Sequence, residues 1–260
     1  MDEGSHVVAL GDCMPSDCVL SENGFTPYDS VTLALMGAFK RILHDARKQF
    51  NIRRCCHIEE VRPCPDKSVG VINDIRFPFN YQPISMDTHT CPRMILILES
   101  PHRDEYCKEG FIAPAKGRTG EKIARYSKEV FPERFWGFEL ILLNAVQFCC
   151  SQEMTIKRGG FKDYVFWKAI RNALFIQRLQ ERIQSIFQSA TDVIVNACTR
   201  SGYGMERNDN LVDNAIQMYQ CKFGLNSDNY LRGVYHPSNW WCASRRVQSR
   251  RILEGTNRDE

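Results

Sequence analysis

Three residues able to do chemistry stand where apolar runs end. Glu99 follows Met94-Ile95-Leu96-Ile97-Leu98, Asn144 follows Glu139-Leu140-Ile141-Leu142-Leu143, and His236 follows the run from Tyr230 to Tyr235. A fourth run, Asp192 to Ala197, leads into Cys198-Thr199-Arg200-Ser201-Gly202. Each residue alone has an ordinary reading: a carboxylate or an asparagine there shapes a turn, and His-Pro is a common loop dipeptide. Together they put a carboxylate, an amide and an imidazole on separate strand ends of one sheet, which chance seldom arranges. A carboxylate and a hydrogen-bond donor held in this way are what preorganised electrostatics use where opposite charges develop across a breaking bond.

The elements that must position these residues follow from periodicity. Met94 to Leu98 is short and continuously apolar, as a strand buried on both faces is; Glu139 to Leu143 reads as a second buried strand, and Asp192 to Ala197 and Tyr230 to Tyr235 as a third and fourth strand. Helical patterns lie between them, over Thr119 to Val130, Lys162 to Gln188 and Asn210 to Phe223. In the longest, Phe166, Ile170, Ala173, Ile176, Leu179, Ile183 and Ile186 share one stripe. A last helix follows Ser238. Alternating strands and helices predict an α/β fold with a central four-stranded parallel sheet and helices on both faces. Ligands of such sheets sit beyond the carboxyl ends of the strands, where Glu99, Asn144 and His236 stand. Residues 1–27 are polar and expected to be irregular. Leu35, Phe39, Ile42 and Ala46 predict a helix within Asp29 to Gln49, and the Pro- and Cys-rich stretch 51–92 predicts loops with short strands at most. The chain therefore divides into an N-terminal extension, 1–92, and an organised domain, 93–260.

Composition sets wide bounds. With 260 residues, 43% apolar and 25% charged, the chain has the make-up of an ordinary folded protein. A net charge of +3 permits a basic face for nucleic acid without demanding one. The start, MDEGSHVVALGDC, lacks the basic-then-apolar pattern of a signal peptide, and no long apolar run could span a bilayer. A cytoplasmic location, no membrane contact and a monomer are the expectation. The 12 cysteines then read as reduced thiols, with Cys149, Cys150 and Cys198 as small core residues. The spacing Cys13-x4-Cys18 has no second pair to complete a metal or iron–sulfur site, so neither metal nor cofactor is expected.

The segments LESPH, ILLNAV and YHPSNWW, in this order and on these strands, resemble the uracil-DNA glycosylase superfamily over about residues 93–250. Its first motif reads GQDPYH in one branch and GEAPG in another, its central strand ends in LLN, and its last ends in HPS. The resemblance implies a uracil-DNA glycosylase-like catalytic domain at 93–260. Glu99 matches the carboxylate of the GEAPG branch, which orients or activates water or screens the sugar cation. Asn144 matches the amide that reads the base edge, and His236 the imidazole that stabilises the departing base. Ser238 matches the serine that pinches the DNA backbone, and Trp240 the residue inserted into the stack; packing of the last helix is the alternative use of Trp240-Trp241. Cutting an N-glycosidic bond leaves positive charge on the sugar and negative charge on the base, and the base must first be flipped out of the helix.

Departures from the family pattern bear on substrate. Ser100 stands where the GQDPYH branch has its catalytic aspartate, and His102 where that branch has the tyrosine that blocks the C5 edge. The stacking phenylalanine of the other branch is replaced by Ala115, with Phe111 the nearest ring to refill the space. Ser100, His102, Ala115 and Phe111 are thus the expected base pocket, open on its C5 side, and the amide of Asn144 can face either a uracil or a cytosine edge. Some members of the superfamily act in phage defence, removing glucosylated hydroxymethylcytosine from viral DNA, and the resemblance extends to that activity. The expected partner is DNA, including phage DNA with modified cytosines. Lys116-Gly117-Arg118 enters a helix and offers N–H groups and charge to phosphate. Arg200, Arg245, Arg246, Arg250 and Arg251 are either phosphate contacts or parts of a solvated face. A uracil-excising repair enzyme, a non-catalytic reader of modified DNA and a nucleoside hydrolase remain open alternatives.

Overall fold

The computed structural model describes residues 18–21, 24–52, 61–85, 91–102, 104–107, 111–151, 160–223 and 228–255. Cys13, and with it the spacing to Cys18, lies outside the described residues, as do most of the residues expected to be irregular at the start. The first described elements are a hairpin, β1 (Cys18–Ser21) and β2 (Gly24–Pro27). Helix α1 (Ser30–Gln49) follows, capped where the Asp29 carboxylate accepts the Thr32 N–H at 2.6 Å. Next come β3 (Lys67–Val71), β4 (Arg93–Leu98), the single turn α2 (Asp104–Cys107), α3 (Arg118–Val130) and β5 (Glu139–Asn144). Two helices, α4 (Phe161–Ile170) and α5 (Ala173–Ile186), lead to β6 (Val193–Asn196). A small hairpin, β7 (Gly202–Tyr203) and β8 (Glu206–Arg207), precedes α6 (Asn208–Phe223), β9 (Tyr230–Leu231) and α7 (Ala243–Glu254).

The fold is α/β, and the sheet differs from expectation. It has five strands in the order β3-β5-β4-β6-β9. The four strands foreseen from their apolar runs, β4, β5, β6 and β9, pair in parallel. The fifth, β3, adds antiparallel to the edge at β5 with a shift of register after Ser68. Its sequence, KSVGV, carries only two buried side chains and a glycine at φ +104°, so no apolar run announces it. The sheet is therefore mixed, not all parallel.

Period-2 alternation divides the core between the two faces. Ile95 and Ile97 of β4, Ile141 and Leu143 of β5 and Ile194 of β6 pack with α1, α4, α5 and α6. Met94, Leu96, Leu98, Leu140, Leu142 and Val195 face the other way, onto α3 and α7. Both α1 and β3 lie within residues 1–92, and both are built into this core and sheet.

Two other boundaries moved. The long helix is broken after Ile170, because the Asn172 side chain accepts the Leu174 N–H at 3.0 Å and starts α5 afresh. The last strand stops at Leu231; the chain then leaves the sheet through Gly233, whose φ of +81° is left-handed. Among the described residues, no helix is long and apolar enough to cross a membrane.

Candidate functional site

Strand order decides where the site must be. From β4 the chain moves to β5 on one side, then crosses to β6 on the other, so the sheet's switch point lies at β4. The strand ends stay closed there: the Ala145 N–H donates to the Leu98 carbonyl at 2.8 Å and the Val146 N–H to that of Glu99 at 3.0 Å. Beyond them opens a cavity of about 750 Å³. All four parallel strands contribute to its wall: Glu99 and Ser100 after β4, Asn144 at the end of β5, Thr199 after β6 and His236 after β9.

Glu99 is buried at 2% exposure. One carboxylate oxygen is 2.7 Å from the Lys162 ammonium, and the other accepts the Thr199 hydroxyl. Burial pushes the Glu99 carboxyl above its ordinary pKa, against the opposing pull of Lys162. Burial alone would lower the lysine, but the carboxylate outweighs it and the net shift of Lys162 is upward. Beside the pair, Ser201 and Asn208 both donate to Asp163, at 3.0 and 3.1 Å.

His236 has the opposite character. Burial first, then the charges of Lys162 and Lys122, push its pKa down to about 3, so the ring is neutral. Its Nδ1 receives the Ser238 backbone N–H at 3.2 Å and lies 2.8 Å from the Ser238 hydroxyl. A backbone N–H can only donate, so Nδ1 is the acceptor and the ring proton sits on Nε2. Lys122 of α3 fixes this loop by donating to the Ser238 carbonyl at 2.7 Å.

Asn144 is buried in the wall, with its Nδ2 3.6 Å from the Cys64 sulfur. Arg182 holds the Asn144 carbonyl at 2.8 Å and is itself anchored by Asp66 through Nε at 2.9 Å. The remaining wall carries Phe77, His102 and Glu105, with Lys116, Gly117 and Arg118 where α3 begins. Gly117, the residue before α3, provides no side-chain cap for the first turn. Among the described residues, no group of three or more His, Cys, Asp and Glu side chains is placed to hold a metal ion.

Of the residues named from sequence, Glu99, Ser100, His102, Asn144, Lys116, Gly117, Arg118 and His236 thus come together around one cavity. Ala115 does not line it. Fully buried at φ +56°, it belongs to the core beneath α3, where its carbonyl lies under Gly120. Phe111 is half exposed outside the cavity wall, edge-on to Tyr81 at 5.7 Å and beneath the Lys116 ammonium at 4.3 Å. The ring in the wall is Phe77.

Trp240 is corrected more sharply. It is 0% exposed, edge-on to Phe131 at 5.6 Å, and its indole N–H donates to the Tyr235 carbonyl at 2.7 Å. A side chain so enclosed cannot enter a DNA stack; its neighbour Trp241 is 62% exposed. The arginines have structural partners. Arg200 stacks on Tyr235 at 3.9 Å and donates to the Gly233 carbonyl, Arg245 donates to Asn239, and Arg246 pairs with Glu129 at 2.7 Å.

Sequence reasoning missed Lys162, Glu105 and Phe77. Thr199 stood in a strand-end segment already singled out, so its position was a usable signal. Lys162 opens a helix remote in sequence from Glu99, and only the crossing of α4 over the sheet brings them together. Comparison with protein-family models, curated proteins and solved structures finds no match to this chain.

Proposed function

We propose that this protein is a DNA glycosylase that takes a flipped-out base, a C5-modified cytosine such as the glucosylated hydroxymethyl form, into the strand-end cavity and hydrolyses its N-glycosidic bond, in defence against phage. The observation that carries this reading is the pairing of opposites in one cavity, a buried Glu99 carboxylate and a neutral His236 whose Nε2 carries the ring proton. The likeness of LESPH, ILLNAV and YHPSNWW to the superfamily's motifs adds to it. So does volume: about 750 Å³ falls among clefts that enclose drug-sized ligands and leaves room beyond a bare pyrimidine.

In this reading the C1′–N bond breaks with its electron pair leaving on the base. Negative charge gathers on the pyrimidine oxygen, where the His236 Nε2–H donates, while Glu99 faces the cationic sugar. Asn144 hydrogen-bonds the base edge. Water adds to C1′, and the proton it releases leaves by way of the Glu99 carboxylate. Lys116, Arg118 and the N-terminus of α3 receive phosphate. Trp241, not Trp240, offers the exposed ring for the vacated stack, and Ser238, tied to His236, sits beside it in the same loop.

The test is incubation with single-stranded and duplex oligonucleotides carrying uracil, cytosine, hydroxymethylcytosine or its glucosylated form, with the released base identified by mass. Release of the glucosylated base is expected, and Glu99→Gln and His236→Ala should each slow it at least about tenfold, or about 1.4 kcal/mol of barrier, while their thermal unfolding stays cooperative. Full activity in either folded variant removes that residue from the mechanism. Release of uracil alone makes the enzyme one of repair. DNA binding without release of any base makes the protein a reader.

A further inference from the structure

We propose that Glu105 sets the substrate class of this site by accepting a hydrogen bond from an exocyclic amino group, so that aminopyrimidines of the cytosine type are taken and their 4-oxo counterparts refused. The inference rests on the glycosylase reading above and adds to it a residue and a rule of choice.

Asn144 cannot make that choice alone. Its amide presents one donor and one acceptor side and can turn to suit either edge. Discrimination needs a group of single polarity, and an ionised carboxylate only accepts. Glu105 brings a carboxylate to the wall. It is 7% exposed, it lines the cavity that also holds Asn144 and His236, and its backbone N–H is fastened to the His102 carbonyl at 2.9 Å. The next residue, Tyr106, donates its hydroxyl to the Gln147 carbonyl at 3.2 Å, Gln147 donates its side-chain amide to the Cys64 carbonyl at 3.0 Å, and the Cys64 sulfur lies 3.6 Å from the Asn144 amide. The turn that carries Glu105 is therefore tied to the segment behind Asn144, and both side chains line the cavity, while Lys162 and Thr199 engage the carboxylate of Glu99.

The chemistry at Glu105 is one-sided. Cytosine offers the N4 amino donor, and a carboxylate accepting from it is an established pairing. A 4-oxo pyrimidine puts an acceptor against an acceptor, and both are then desolvated without compensation. Sites built on such a buried hydrogen bond reject the analogue lacking it far more strongly than apolar pockets reject a change of size. A C5 substituent leaves this edge unchanged, so the rule holds whatever group is carried there.

The experiment uses matched pairs in the full chain: cytosine against uracil, and hydroxymethylcytosine against hydroxymethyluracil, each pair with and without glucose at C5. Within a pair only the exocyclic group differs. The wild type should favour the amino member by at least about 100-fold in kcat/KM. Glu105→Gln, which can donate to a 4-oxo group, should slow the amino member at least about tenfold, speed the 4-oxo member and shrink the ratio; Glu105→Asp should keep the ratio's direction. A folded Glu105→Gln variant with an unchanged ratio overturns the assignment, and so does a wild type that releases both members equally, a result that needs no variant to fold. In both cases base release itself persists and the glycosylase reading stands. Failure of the wild type to release any base overturns that reading, and this one with it.

Discussion

At Glu99 the two carboxylate oxygens have different holders, a lysine on one and a threonine hydroxyl on the other. This arrangement resolves a conflict. Burial favours the protonated acid, yet facing a sugar cation requires the anion. Lys162, as a positioning residue, supplies the counter-charge that opposes the effect of burial. Removing that charge while keeping bulk, in Lys162→Met, takes away the foremost opposition to burial and raises the carboxyl pKa further. In the glycosylase reading the anion is the active form, so activity should then be lost at a higher pH on descending than in the wild type. His236, neutral down to about pH 3, sits well below this limb and does not mask it. A kcat profile across acid pH measures the displacement. An acid limb that stays in place in Lys162→Met would mean that the lysine serves the fold or the DNA, not the state of Glu99.

Helix α3 reaches the cavity wall because of one glycine. A Cβ on Gly120 would lie 2.1 Å from the Ala115 carbonyl and 2.9 Å from the rings of Phe77 and Phe79. The backbone oxygen cannot swing aside, so Gly120→Ala should destabilise by about 1–3 kcal/mol, overriding the gain of up to ~1 kcal/mol that alanine brings to a helix. Because Phe77 is both a neighbour of this contact and part of the cavity wall, the same variant should weaken substrate binding. Chemical denaturation checks the first expectation and KM the second; a midpoint at or above that of the wild type refutes the close approach. Legibility at this scale followed burial. β4 and β5 were readable because both their faces are enclosed and their central runs, Met94 to Leu98 and Leu140 to Leu143, are wholly apolar. β3 was not, since an edge strand with two buried side chains has no such signature. The break between α4 and α5 was hidden by an apolar stripe that continues across Asn172. The strand-end residues Glu99, Asn144 and His236 were legible because position on a strand is local information. Lys162, Glu105 and Phe77 were not, because their place in the wall depends on how separate elements cross.

Across the whole molecule, the tryptophan pair after His236 separates what the fold needs from what DNA would need. Trp240 seals the core between α3 and α7, buried against Phe131, while Trp241 projects outward from the same loop. The motif likeness puts Trp240 at the stack, but the direction of each side chain leaves only Trp241 outside the core. Trp240→Ala should cost about 3–5 kcal/mol, the usual toll of emptying a large aromatic from a core. The damage would spread to the Tyr235 carbonyl, which loses its indole partner one residue from His236. Base release should then fall to the same degree on single-stranded and duplex substrates, because the site itself loosens. Trp241→Ala should leave the unfolding midpoint within about 0.5 kcal/mol of the wild type, as exposed substitutions do. Its loss should fall on duplex DNA much more than on single strands, since a filled stack matters only where one must be opened. Denaturation curves with release rates on both forms of DNA test the pair together. Equal losses on both substrates in Trp241→Ala would deny it the wedge, and a Trp240→Ala protein as stable as the wild type would contradict its place in the core.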